Sequence, residues 1–380
     1  MNKPIAKTVT LTAMVLFFLQ PIAIGGWLAL IPEVKAALAL NKAELAVALL
    51  GLPIALMLSL NAAGPVLARF GARKVMAVAF PLNAIAAIFP VLAWGQGSLM
   101  AALFLWGCVV GFLQVSLNAY AGRLEKQAGV SIMQRSHGFW AVGLMVGPFL
   151  MSLWPGIDMG GKMALQTLPV GALCMLLALS LPHLGAASGA PKPTRRRLRE
   201  IPVALVFISV FVFFIAMTEG AMADWGAVYL DEHPGRGALN AGIGISIYAG
   251  FLAFGRFIGD GLKTRFGPVW LARVTIACAL AGFLLLAVLP PLSVALVGFG
   301  LIGFGASVGF PLGVSAVAAL DDTYEGANIA IMTMLAMVSF MIGPVLIGFI
   351  AEATSLRIGL IALVPGLVLS FILARRLRPA

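Results

Sequence analysis

The chain has 380 residues, of which 61% are hydrophobic and only 10% charged, with a mean hydropathy of +1.05. Soluble globular chains carry about 25% charged residues, so this composition excludes a soluble enzyme or binding module and points to a polytopic membrane protein. The formal net charge of +11 raises the question of a nucleic-acid partner, and its placement along the chain answers it.

Windows of about 20 apolar residues predict twelve spans, near 8–31, 43–67, 75–94, 98–122, 135–155, 163–182, 201–230, 238–262, 269–289, 292–318, 327–351 and 355–374. Backbone groups in lipid must be satisfied internally, so each span is read as a helix. Stretches beyond 25 residues predict tilt or unwound ends. The first span is too long for a signal peptide and no small-residue cleavage site follows it, so it is expected to be retained. Cys108, Cys174 and Cys278 all fall inside spans, which predicts neither a disulfide nor a metal site. With a cytoplasmic N-terminus, inward segments hold 19 of the 25 Lys and Arg residues, Arg195 to Arg197 and Arg375 to Arg378 among them. That asymmetry is the positive-inside pattern and places both termini in the cytoplasm. The basic charge orients the chain and implies no nucleic acid.

Midway lies HLGAASGAPKPTRRRLRE, residues 183 to 200. Its small residues, prolines and basic run read as a solvated linker between a bundle over 1–182 and another over 201–380. The halves match in register. Arg69-Phe70-Gly71, Gly107 and Gly147-Pro148 return as Arg265-Phe266-Gly267, Gly303 and Gly343-Pro344, each 196 residues later. An even number of spans per half makes them parallel repeats about an axis along the membrane normal.

GPVLARFGARKV, residues 64 to 75, and GLMVGP, residues 143 to 148, resemble the loop motif and the Gly-Pro motif of the major facilitator superfamily. Trp27 with Ile31-Pro32, Asn118-Ala119 with Glu125, His137 ahead of Gly143, TEGAMADWGAVYL and GRFIGD resemble its fucose-permease-like branch. The resemblance implies an all-α membrane fold of twelve helices in two six-helix bundles, and secondary transport. Departures accompany it. Ala68 stands where the motif is usually acidic, and Asp260 sits one turn before the equivalent Thr264. Leu30 replaces an arginine common in the branch, and Gln114 replaces an Asp.

Three apparent motifs lack the context that would give them meaning. GFGLIG (298–303) and GASVG (305–309) lie in one apolar helix, where small residues serve packing. GIDMGGKM (156–163) lacks the hydroxyl that would hold magnesium. An intramembrane hydrolase at Ser307 would need a base within hydrogen-bond reach, and the histidines His137, His183 and His233 are badly placed for it.

FFIAMTEGAMADWGAVYL, residues 213 to 230, carries acids that cost about 2.5–3.5 kcal/mol each at the bilayer centre. Glu219 is read as a cavity carboxylate for substrate or proton, against a packing role. Asp224, about 140° away around the helix, is read as interfacial, beside Trp225 in an aromatic belt. Gly220 offers a place for the helix to break. Arg256 and Asp260, four apart, are expected to pair as a structural or gate element near the cytoplasmic end. In the first half Gln20, Trp27, Gln114, Asn118 and His137 are binding or relay candidates, beside Asn61, Asn83, Ser116 and Tyr120. Gln114 and Asn118 share one face. With no unpaired cation deep in the membrane, the solute is expected to be small and polar, neutral or cationic. A sugar-like one is implied only by the resemblance.

A charge latch between Arg69, Arg73 and Lys74 in one loop and Asp321, Asp322 and Glu325 in another is the expected gate, with orientation charge alone as its alternative. The functional expectation is alternating access by a monomer in the lipid bilayer, coupled to protons and without cofactor. Proton-coupled efflux, an uncoupled facilitator and a receptor remain open alternatives.

Overall fold

A computed structural model describes residues 3–128, 132–184, 200–235, 237, 240–288 and 291–378. Most of the expected linker, residues 185–199, lies outside these, as do the side chains of Asn61 and Asp322. The first half contains α1 (Lys3–Leu19), α2 (Ile22–Ala37), α3 (Lys42–Leu49), α4 (Gly51–Phe70), α5 (Ala72–Ala86), α6 (Gln96–Ala128), α7 (Met133–Ser152) and α8 (Met159–Ser180). The second contains α9 (Val203–Asp231), α10 (Gly242–Phe266), α11 (Pro268–Ala287), α12 (Leu292–Ala306), α13 (Gly309–Ala318), α14 (Glu325–Ala353), α15 (Leu356–Ile361) and α16 (Val364–Leu373), closed by a 3-10 turn, Ala374–Leu377. No strand occurs among the described residues.

Eleven stretches in the described residues are long and apolar enough to cross a membrane. The expected fifth span, α7, is the one missing from that set. It is a helix of 20 residues, but Arg135, Ser136 and His137 dilute its first turns. α6 runs to Ala128, six residues past its expected end. Arg123, Glu125 and Lys126 carry the helix out of the apolar layer, where a hydropathy window stops but hydrogen bonding does not. Pairs of helices make several spans. α1 and α2 meet at a turn at Gln20 and Pro21, where proline supplies no N–H. α12 and α13 meet at Ser307 and Val308.

The chain forms two compact units, Met1–Ser188 with Ala238–Ser246, and Gly189–Gly237 with Ile247–Ala380. Inside the first, α2 packs on α7, α4 on α6, and α5 on α6 and α8. Inside the second, α9 packs on α14, and α11 on α12 and α16. The repeat in the sequence is thus a repeat of contacts. A Cβ at Gly107 would meet the carbonyl of Leu52, and one at Gly303 would meet the carbonyl of Tyr248, 196 residues further on. Gly111 packs against Ser59, while their counterparts Ser307 and Gly255 make the same contact with the small residues exchanged.

The loop motif repeats down to its dihedrals. Gly71 and Gly267 have φ of 79° and 84°, left-handed values that glycine adopts without steric cost. Each donates its N–H at 2.9 Å to a carbonyl four residues earlier, Leu67 and Lys263. Arg69 lies over the Phe70 ring at 5.2 Å and Arg265 over Phe266 at 5.1 Å. GFGLIG is a packing surface, since a Cβ at Gly282 on α11 would meet the Gly298 carbonyl. GIDMGGKM starts a helix, with Asp158 accepting from the Gly161 N–H at 3.0 Å.

Candidate functional site

The carboxylate of Glu219 on α9 is paired across the second unit. The Arg256 Nη2 donates to its Oε1 at 3.1 Å, and the side chains of Arg256 and Glu219 are 15% and 18% exposed. The expected Arg256–Asp260 pair does not form. Asp260 is exposed, whereas only 18% of the Glu219 side chain is, and leaving one buried charge unpaired costs about 3–5 kcal/mol. An exposed pair on one helix face returns about 0–1 kcal/mol. The guanidinium therefore goes to the desolvated acid.

The pairing also bears on depth, since Arg256 was expected near the cytoplasmic end and Glu219 lies sixteen residues into α9. α9 has 29 residues, or about 43 Å, against an apolar layer of about 30 Å. A helix of that length exceeds the layer, so counting residues from its start does not fix depth. The two groups meet at one level.

The arginine has a second contact. Its Nε approaches the Ser307 carbonyl at 3.5 Å, at the turn between α12 and α13. The Ser307 hydroxyl donates to the Phe304 carbonyl at 2.6 Å, so it is a helix-terminating group. Tyr248, two turns before Arg256 on α10, is buried within electrostatic reach of both charges. Its hydroxyl has no hydrogen-bond partner among the described residues. Tyr248 was missed by the sequence reading, although positions 248, 252 and 256 share a helix face.

Three expectations around Glu219 change. α9 does not break at Gly220 and runs unbroken from Val203 to Asp231. The glycine instead admits Phe340, whose ring would lie 2.6 Å from a Cβ there. Trp225 is fully buried rather than in an aromatic belt, and its Nε1 donates to the Pro344 carbonyl at 3.0 Å. The Pro344 carbonyl, inside the bundle, holds the indole. Asp224 is partly exposed and takes no part in the Glu219–Arg256 pair.

In the first unit, two rungs join α1 to α7. The Trp140 Nε1 donates to the Gln20 Oε1 at 2.7 Å, and Phe17 meets His137 edge-on at 5.6 Å between ring centroids. Gln20 is buried beside the Pro21 turn, and its Nε2 has no partner among the described residues. Gln166 of α8 donates to the Ile22 carbonyl at 2.7 Å and leaves its Oε1 unsatisfied. One spare donor and one spare acceptor thus lie near the break in the first span. Trp140 was missed as well, three residues after His137 on one face.

Trp27 is buried in α2. Gln114 and Asn118 are partly exposed on α6, and the Asn118 Nδ2 is turned back to the Gln114 carbonyl at 2.8 Å. Asn83, Ser116 and Tyr120 serve packing. They accept from Trp106 at 2.9 Å, donate to Leu113 at 3.0 Å and donate to Pro182 at 3.1 Å, respectively. Glu125 accepts from the Ile132 and Met133 N–H groups at 2.6 and 2.8 Å and caps α7.

Of the gating candidates, Arg69 and Lys74 are exposed, and Arg73 donates to the Leu179 carbonyl at the end of α8. Asp321 accepts from the Thr323 N–H at 3.0 Å, and Glu325 is exposed at the start of α14. Among the described residues no group of three His, Cys, Asp or Glu could hold a metal. The three cysteines are free.

No family model matches the chain. An uncharacterised MFS-type transporter of Yersinia pestis is 29% identical over 347 residues, covering 90% of this chain and 88% of that protein. An uncharacterised transporter of Sinorhizobium fredii is 30% identical over 363 residues, covering 90% and 91%. Among solved structures, the nucleoside transporter NupG superposes with a TM-score of 0.80 at 16% identity, over 97% of this chain and 100% of that one. The Escherichia coli fucose:proton symporter FucP does so with a TM-score of 0.64 at 18% identity, over 98% of both. A loop motif whose glycine dihedral recurs 196 residues on, and relatives matched along nearly their whole length, lead to one assignment: the chain is a transporter, not an enzyme, and belongs to the major facilitator superfamily.

Proposed function

We propose that the chain moves a small polar solute, neutral or cationic, across the bacterial cytoplasmic membrane by alternating access, and that it couples this to protons through Glu219. The observation that carries the reading is the Glu219–Arg256 pair inside the membrane. As a carboxylate, Glu219 holds the guanidinium. A proton on Glu219 removes that charge, and Arg256 is left with the Ser307 carbonyl, already at the edge of hydrogen-bond distance. Protonation thereby exchanges one set of contacts for another, which is what coupling to a conformational change needs.

Substrate chemistry follows from the same inventory. The deep guanidinium is matched by a carboxylate, so a compact anion finds no spare cation there. Gln20, Gln114, Asn118, Trp27 and the aromatic rings of Trp140, Phe17 and His137 offer amides and aromatic faces, which suit hydroxylated or amide-bearing solutes. Fold neighbours titled as fucose:proton symporter and nucleoside transporter are consistent with that class. A monomer with both termini in the cytoplasm completes the proposal, on the distribution of basic residues.

Uptake into proteoliposomes with an imposed pH gradient tests it, after solutes are screened by thermal stabilisation of the purified chain. Wild type should concentrate a stabilising solute when the gradient is imposed. Glu219→Gln should lose accumulation while keeping counterflow exchange. Accumulation that survives in Glu219→Gln removes the coupling assignment, and micromolar binding of a small inorganic anion removes the substrate class.

A further inference from the structure

One cavity in the second unit belongs to no part of the transport reading. α11, the end of α16 and the Ala374–Leu377 turn border an open cavity of about 490 Å3 lined by Arg273, Arg375, Arg376 and Arg378. Four guanidiniums around one space repel one another. Among the described residues none of the four has a carboxylate within ion-pair distance. Two are fixed by aromatic faces instead. Arg273 lies 5.5 Å from the Phe371 ring centroid and Arg376 lies 4.9 Å from that of Phe207. Stacking holds a guanidinium by its face and leaves its N–H edge for an anion, in the fork geometry that suits phosphate oxygens.

Exposed apolar side chains stand next to these residues along their helices. Trp270 precedes Arg273 by one turn of α11, Val206 neighbours Phe207 on α9, and Ile372 neighbours Phe371 on α16. All three are exposed. A soluble anion would use the arginines and ignore these apolar side chains. An amphiphile would use both, and this end of the unit carries the C-terminus, which the proposed orientation puts at the anionic cytoplasmic leaflet.

We propose that the four-arginine cavity binds phosphate groups presented by an anionic membrane lipid, its head group among the guanidiniums and its acyl chains along Trp270, Val206 and Ile372. Such a lipid clamps together the ends of α9, α11 and α16, and offsets the repulsion among the four cations.

The full-length chain, purified in mixed micelles, is titrated with cardiolipin, phosphatidylglycerol, phosphatidylcholine or inorganic phosphate. Thermal stabilisation and native mass spectrometry are the readouts. The anionic lipids should stabilise wild type and remain bound, and phosphatidylcholine should do neither. Each arginine removed should weaken lipid binding about fivefold, the equivalent of roughly 1 kcal/mol. Arg273→Gln with Arg376→Gln should therefore lose about 25-fold, and the corresponding Lys pair should fall between. Arg123→Gln with Lys126→Gln, which removes two basic charges elsewhere, should bind as wild type. If the Gln pair does not fold, Arg378→Gln alone carries the test, with a fivefold loss expected. Equal losses in the control pair would replace the site with diffuse surface attraction and overturn the proposal. Stabilisation by inorganic phosphate equal to that by cardiolipin would overturn the lipid as its source.

Discussion

Removing either member of the Glu219–Arg256 pair should cost more than removing both. At 3.1 Å and an effective dielectric near 20, the attraction is roughly 5 kcal/mol before desolvation is subtracted. Breaking such a pair from one side costs about 3–5 kcal/mol, chiefly because a charge is left buried alone. With per-residue unfolding entropies near 2 cal/mol/K, 1 kcal/mol over a chain of this length corresponds to roughly 1 °C in Tm. Glu219→Leu and Arg256→Met should each lower Tm by roughly 3–5 °C in detergent. The double variant should be no less stable than the worse single, because neither charge then remains. Thermal unfolding of the three proteins side by side measures the coupling. A double variant whose loss equals the sum of the singles would refute the pairing as an energetic unit, and with it the idea that a proton on Glu219 releases Arg256.

Gly143→Ala should abolish most folded yield, since its Cβ would collide with the Phe18 carbonyl and Pro21 and overpacking of this kind costs about 1–3 kcal/mol or more; size-exclusion recovery reads it. Trp140→Phe leaves the Gln20 Oε1 buried without a donor and should destabilise by about 1–3 kcal/mol. Adding Gln20→Leu should restore much of that loss in Tm. Neutralising Asp321, Asp322 and Glu325 together should raise labelling of cysteines introduced on the cytoplasmic side, and unchanged labelling would remove these acids from the gate.

The sequence carried eleven of the twelve expected spans, the 196-residue repeat and an acid inside an apolar helix at Glu219, because each rests on a strong local signal. Twenty apolar residues exceed what a soluble helix needs, a 196-residue register recurs at landmarks such as Gly107 and Gly303, and an acid in an apolar run is costly. What it could not carry was partnership. Arg256 has Asp260 four residues away and Glu219 thirty-seven away, and spacing alone favours the near one. Desolvation decides otherwise, and desolvation is a property of the packed bundle. Gly220 failed as a break for a related reason. Glycine permits a kink but equally permits close approach, and Phe340 uses it for the second. Trp140 and Tyr248 went unremarked because an indole or phenol in an apolar run reads as core until its polar tip is located.

α9 passes Gly220 without interruption, while the span facing Arg256 is interrupted at Ser307 and Val308. In mechanical terms the carboxylate is mounted on a strut and the arginine's second contact on a joint. Compliance is therefore unequal on the two sides of the same ion pair. If Glu219 loses its charge as proposed, its own helix should stay where it is and the displacement should be taken up where α12 meets α13. The Gly255–Ser307 contact, which leaves no room for a Cβ at 255, limits how far that joint can swing toward α10. The travel of the arginine is bounded by a glycine on its own helix, one residue before it.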